Sequence, residues 1–185
     1  MFITPSPSGI AFVDSSKLQV CHNLLILRYQ VFKGTAKRGK GMMGWFYGFK
    51  LHLIINNQGS IISVTVTTDN VDDRKPISEM VNEIWGCLYG NKGYISGPLE
   101  RELADKRVDT DNGCKKNIKP KVMKRWDRRI LRKRFIIETV SNQLKNISRI
   151  GNFRHRSEEN FIIHLIEDSL LIRSNKKTIF KITWF

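Results

Sequence analysis

Arg134, Glu138, Ser141 and Lys145 follow one another at spacings of four, three and four residues. On a helix turning about 100° per residue they fall within roughly 60° of one another. One narrow stripe then carries a cation, a carboxylate, a small hydroxyl and a second cation. The carboxylate could hold a hard metal ion, and the Arg and Lys could hold phosphate. The same stripe also describes a solvated face with ordinary ion pairs. The surrounding stretch, residues 130–150, reads as a helix. Phe135, Ile136, Val140, Leu144 and Ile147 recur there at the spacing of a buried stripe.

The elements that must position this helix precede it. Residues 10–13 are a short apolar run that stops on Asp14, the pattern of a buried strand ending on a carboxylate. Such an acid is also a common turn former. Residues 28–50 are basic and glycine-rich. Arg28, Lys33, Lys37, Arg38, Lys40 and Lys50 have no acid among them, so this stretch reads as a loop that could lie along phosphates. Its aromatics could stack on bases, but the spacing favours a core or strand start for residues 45–49. Residues 49–56 and 60–68 form a hairpin about Asn57-Gln58-Gly59. Pro76 suits the first turn of a helix running to about Gly86. Residues 87–89 read as a strand entering Gly90-Asn91-Lys92-Gly93-Tyr94, and Ser96 or Gly97 caps a helix through about Lys106. No strand is placed over residues 107–121. A last helix covers about 158–172. Residues 1–9 read as a loose lead-in, and residues 173–185 as a basic tail. The order is that of an α/β domain with a mixed sheet and flanking helices.

Bulk properties narrow the partner. The chain has 185 residues, 32 Lys plus Arg against 17 Asp plus Glu, a formal charge of +15 and 41% apolar residues. That describes one globular domain with a polyanionic partner, most often nucleic acid. A ribosomal or RNA-associated role explains the charge as well. No apolar run reaches the length of a bilayer span, and no signal-peptide pattern opens the chain. Cys21, Cys87 and Cys114 are odd in number and widely spaced, which fits a reduced cytoplasmic protein. No second Cys/His pair stands at zinc-site spacing from Cys21-His22.

Six blocks in order carry a resemblance: FVDSS at 12–16, QVFKGTAKRGK at 30–40, MGWFYGFKLHLIIN at 43–56, NVDDRKP at 70–76, GNKGYIS at 90–96 and LRKRFIIETVSNQLKNIS at 131–148. Together they resemble a DDE transposase of bacterial insertion sequences, the 982-type group in particular, over roughly residues 8–165. The resemblance implies a ribonuclease-H-like fold across residues 10–172. It also implies three metal-holding acids and two Mg²⁺ ions, for which Mn²⁺ can substitute. The reaction implied is in-line displacement at a DNA phosphate, giving strand cleavage and transfer at insertion-sequence ends. Carried over by position, the first acid is Asp14 and the last is Glu138. Arg134, Glu138 and Lys145 match the family's arginine–glutamate–lysine signature, while its preceding tyrosine is Leu131 here. The second acid falls on Asn91, a neutral amide where hard dications prefer charged oxygen. Impaired cleavage is therefore expected. Lys92, Arg134 and Lys145 are the implied phosphate contacts beside the site, with Lys37, Arg38 and Lys40 as further DNA contacts.

The implied partners are transposon-end and target DNA, with homo-oligomers or co-assembly with full-length relatives, and no membrane. The implied location is the bacterial cytoplasm at the nucleoid. Relatives carry a long helical region before the first acid, whereas 13 residues precede Asp14, the pattern of an N-terminally truncated copy. The alternative is a non-catalytic DNA-binding remnant. Asp72 or Asp73 as substitute acids match another loop.

Overall fold

Alternation of buried and exposed residues does not stop at Asp14. Ser16, Leu18 and Val20 continue the buried series while Lys17 and Gln19 face outward. Strand β1 therefore spans Ile10–Cys21, and Asp14 sits inside it rather than at the end of a four-residue run. The computed structural model describes residues 9–21, 23–28, 30–41, 44–82, 84–94, 96–110, 129–130, 132–146, 157–171 and 179–180. The basic stretch is likewise not all loop, because Lys37–Gly41 forms β2. Its inward position is Gly39, where a Cβ would fall 0.9 Å from Asp69 Oδ2. The buried Asp69 side chain fills the place that a strand residue would otherwise take.

Strands β3 (Gly44–Asn56) and β4 (Ile61–Thr68) make the hairpin that the turn residues predict. Asn56 Oδ1 accepts from the backbone N–H groups of Gln58 and Ser60, each at 2.9 Å, and Gly59 takes φ +83°. That left-handed conformation is why glycine stands at the turn. Strand β5 (Gly86–Tyr89) lies parallel to β1, with Ile10, Ala11 and Phe12 opposite Cys87, Leu88 and Tyr89. A short β6 (Val108–Thr110) adds in parallel to β5, where the polar sequence gives no strand signal. The wholly buried Val108 anchors it. Strand β7 (Ile179–Phe180) pairs with β4 at the other edge. The seven-stranded mixed sheet runs β6-β5-β1-β3-β4-β7, with β2 on β3.

Among the described residues four α-helices flank the sheet. Helix α1 is only Ile77–Met80 rather than a helix reaching Gly86. Ile77, Met80, Val81 and Ile84 are all buried, so the chain coils inward instead of continuing one amphipathic face. Helix α2 (Gly97–Asp105) begins at Ser96 as expected. Helices α3 (Phe135–Asn146) and α4 (Glu158–Leu171) cover the face of β1 that carries Phe12 and Leu18. The stripe on α3 differs from the one predicted. Ile137, Val140 and Leu144 are buried, while Phe135 is 62% exposed. Residues 135 and 137 lie about 200° apart on a helix, so only one can meet the sheet. Ile147 and the basic run 115–124 lie outside the described residues. Burying three such side chains contributes about 1.5–3 kcal/mol each. The exposed Arg134–Glu138 pair adds about 0.3–0.5 kcal/mol. Apolar packing therefore sets where α3 lies, and its polar stripe follows.

Gly86 opens β5 at φ +98°, and a Cβ there would come within 2.4 Å of the Gly9 carbonyl oxygen. Gly86→Ala is expected to cost at least about 2 kcal/mol in chemical denaturation, through left-handed strain and backbone overlap. An unchanged denaturation midpoint would contradict this account of the β1–β5 junction.

Candidate active site

Strand alternation puts Asp14 on the face of Phe12 and Leu18, beneath α3. Its carboxyl is half-buried, and burial pushes its pKa up. The Ser15 backbone N–H, Arg134 and Lys145 act in the opposite direction, and Glu138 acts with burial. Asp14, Arg134, Glu138 and Lys145 thus share one electrostatic neighbourhood, as the spacing on the helix requires. Arg134 Nη2 stands 3.5 Å from Glu138 Oε1, with the Glu138 side chain 56% exposed. Lys145 is half-buried, and burial lowers its pKa although Asp14 raises it. Ser141, between them on the helix, is buried with no hydrogen-bond partner for its Oγ among the described residues.

Register brings the remaining position to the same place. Phe12 pairs with Tyr89 across the parallel β1–β5 ladder. Asp14 and Asn91 each stand two residues further on, so Asn91 leaves the strand end at the level of Asp14. Asn91 is exposed, and its carbonyl accepts from the Tyr94 backbone N–H at 2.9 Å in the turn formed by Lys92–Tyr94. The Lys92 side chain lies outside the described residues.

The reverse face of β1 at this level is polar as well. Ser15 Oγ donates to Asp73 Oδ2 at 3.1 Å, and Asp73 Oδ1 forms an ion pair with Lys50 Nζ at 2.9 Å. Lys50 Nζ also donates to the Val71 carbonyl at 2.7 Å. Tyr94 Oη is buried beside Ser15, near both Asp73 and Asp14, without a well-formed hydrogen bond. Burial pushes that hydroxyl well above the usual tyrosine range. Asp73 is therefore engaged on the side of the sheet away from Asp14. Asp72 is held by Arg74, whose Nε donates to it at 2.8 Å and whose guanidinium keeps its pKa well below the carboxylate range. Neither acid stands in for the one missing at position 91.

A strand carboxylate and a helix carboxylate thus share one neighbourhood with two cations in an α/β domain. Comparison with known families gives the class its particular form. The family described as the transposase DDE domain matches residues 4–158, and the chain belongs to that family. No curated protein matches the chain in sequence. DDE transposase domains generally use divalent metal ions, and the family implies DNA as a partner. Asp14 and Glu138 offer carboxylate oxygens, the hard donors that such ions take. Asn91 adds only a neutral oxygen, so the fit is incomplete. Among the described residues no cluster of three or more His, Cys, Asp or Glu could hold a metal. No helix among them is long and apolar enough to cross a membrane.

Of the residues singled out from sequence, Asp14, Arg134, Glu138 and Lys145 come together, and Asn91 joins them by register. Lys37, Arg38 and Lys40 stand apart, on β2. Sequence reasoning missed the reverse-face roles of Ser15, Lys50, Asp73 and Tyr94. The only signal for them was the alternation that carries β1 past Asp14.

His52 completes the reverse-face layer. It is wholly buried, with Nε2 2.9 Å from Thr67 Oγ1 and no partner for Nδ1 among the described residues. Burial lowers its pKa to about 4, Lys50 adds to that, and Asp73 opposes it. Between that value and the unfolded histidine's 6.5, the unfolded chain binds a proton that the native chain does not. Stability from this group is therefore present above pH 6.5 and is lost as pH falls toward 4. Urea denaturation across that window should show His52→Gln losing about 3 kcal/mol less than the natural chain. Equal slopes in the two proteins would contradict the assignment.

Proposed function

We propose that this chain is a ribonuclease-H-like DNA strand-transferase domain whose amide at position 91 leaves metal binding weak and strand cleavage impaired. The observation that carries the reading is the convergence of Asp14, Glu138 and position 91 from β1, α3 and the end of β5. The strand order supports the fold: antiparallel β1, β3 and β4 on one side, parallel β5 and β6 on the other. The six ordered sequence blocks support the 982-type grouping.

In the proposed reaction an incoming hydroxyl oxygen bonds to a DNA phosphorus as the bond to the leaving 3′ oxygen breaks. The hydroxyl proton passes to solvent, and the leaving oxygen ends protonated. Asp14 and Glu138 would hold divalent ions, which would supply acidification of the attacking hydroxyl and charge neutralisation at the leaving oxygen. Arg134 and Lys145 flank the carboxylates and hold the phosphate by charge-assisted hydrogen bonds. Asp14 must be ionised to act, and both cations favour that form. The Ser15–Asp73–Lys50 chain fixes the strand from behind.

Nicking of supercoiled plasmid in Mn²⁺ tests the reading without knowledge of a DNA end. Asn91→Asp is expected to nick at least about tenfold faster than the natural chain, as an added charged ligand strengthens a hard-metal site. Adding Glu138→Gln to the Asn91→Asp variant should abolish the gain. Equal nicking by the natural chain and Asn91→Asp would refute impairment. Plasmid binding with no nicking by either protein would favour a DNA-binding remnant.

A further inference from the structure

Between Asp14 and Asp69 there is no acidic residue at all. The intervening segment carries Lys17, Arg28, Lys33, Lys37, Arg38, Lys40 and Lys50. It folds into β2, β3, β4 and the part of β1 beyond Asp14, so these strands carry cations and, apart from Asp14 itself, no carboxylate. Strand β2 pairs with residues 44–48 of β3, whereas β1 reaches back along β3 only to Tyr47. The ends of β2 and β3 therefore continue past β1 as a two-stranded ribbon.

The ribbon's side chains sort by register. Tyr47 and Phe49 pack in the same apolar cluster as Ile137, Val140 and Leu144 of α3. Trp45 shares their parity and so faces the side of the sheet that bears Asp14. Lys40 lies opposite Trp45, and Arg38 opposite Tyr47, on that same side. Phe46, of the other parity, lies under Lys17 Nζ at 4.8 Å from its ring centre. Phe46, Tyr47 and Phe49 are buried, but Trp45 is 59% exposed. Lys37, Arg38 and Lys40 are exposed too. An exposed aromatic paired across the ribbon with a lysine sets an apolar face beside a cation, and the major groove of a duplex offers thymine methyl groups to the one and base-edge acceptors to the other. Eight residues along β3 separate Trp45 from Leu53, the partner of Asp14, a span of about 26 Å at ~3.3 Å per residue. That is about eight base pairs of duplex at ~3.4 Å each.

We propose that the β2–β3 ribbon is a second DNA contact, on the face of Asp14 and about eight base pairs from it, gripping the duplex with Arg38, Lys40 and Trp45. A two-stranded ribbon fits the major groove of a duplex. The proposal rests on the strand-transferase reading for its partner. Leu24 and Leu27 are exposed in the segment after β1, where the Asn23 side-chain amide donates to the Trp45 carbonyl near the turn end of the ribbon. They are the competing feature, because an apolar protein partner would use them. The exposed Lys37, Arg38 and Lys40, on a strand with no acid of its own, decide for a polyanion.

Fluorescence anisotropy of the full chain with a random-sequence duplex of about 30 base pairs, at several salt concentrations, tests this. Arg38→Gln/Lys40→Gln should weaken binding and lower the slope of log affinity on log salt by about 1.8, for two lost phosphate contacts. Trp45→Ala should weaken binding about fivefold with the slope unchanged, as loss of a neutral contact requires. Arg134→Gln/Lys145→Gln reports the catalytic-site contacts separately, and circular dichroism confirms the fold of each variant. Ribbon variants that bind like the natural chain, while the Arg134/Lys145 variant weakens, would overturn the ribbon contact and leave the strand-transferase reading standing. A natural chain that binds no duplex would overturn both. A Trp45→Ala effect confined to sedimentation or to single-stranded DNA would overturn the duplex contact in favour of a second copy of the chain or an unpaired strand.

Discussion

A carboxylate in the middle of a central strand must stay ionised although burial opposes it, and the structure around Asp14 depends on meeting that demand. Burial is the largest influence on Asp14, and Glu138 adds to it. The Ser15 N–H, Arg134 and Lys145 oppose both. The two cations stand where they do because Ile137, Val140 and Leu144 seat α3 on the sheet. Apolar packing, worth several times any exposed ion pair, thus fixes the electrostatics of a polar site. The layer behind Asp14 serves the same end. Ser15, Asp73 and Lys50 tie β1 to β3 and to the loop after β4, so the strand bearing the carboxylate is held from both faces.

Position 91 changes the charge of this assembly. Asp14 and Glu138 oppose Arg134 and Lys145, so these four side chains sum to zero when all are ionised. An amide at 91 leaves that sum unchanged. A carboxylate there would make the site an anion and supply a further charged oxygen. The β1–β5 register that aligns Asn91 with Asp14 comes from backbone pairing, so exchange of the side chain alters donor chemistry without moving the strand.

Local signals in the chain are legible, and long-range ones are not. The β3–β4 hairpin shows in the sequence because the turn is built by near neighbours, Asn56 and Gly59. Strand β5 and the Ser96 start of α2 are legible for the same reason. Strand β1 extends beyond its apolar run because Asp14, Ser15 and Ser16 break that run while the alternation continues beneath it. Strand β2 leaves no local signal because its inward residue is a glycine filled over by Asp69. On α3 the polar stripe is legible, but the apolar phase falls on Ile137 instead of Phe135 because the chain turns at residues 133–134 before the helix begins. In the site, the order of sequence blocks picks out Asp14, Glu138, Arg134, Lys145 and the anomaly at Asn91. The Ser15–Asp73 hydrogen bond joins residues 58 apart and is beyond any spacing argument.

The proposed site stands or falls on whether Asp14, Glu138 and position 91 share one metal ion that the amide weakens. Titration calorimetry with Mn²⁺ on the natural chain, Asn91→Asp, and Asn91→Asp combined with Glu138→Gln decides it. Tight binding is expected only in Asn91→Asp, and it should be lost when Glu138 is also replaced. Equal affinity in all three proteins would show that the three positions do not share an ion, and the proposed site would fall.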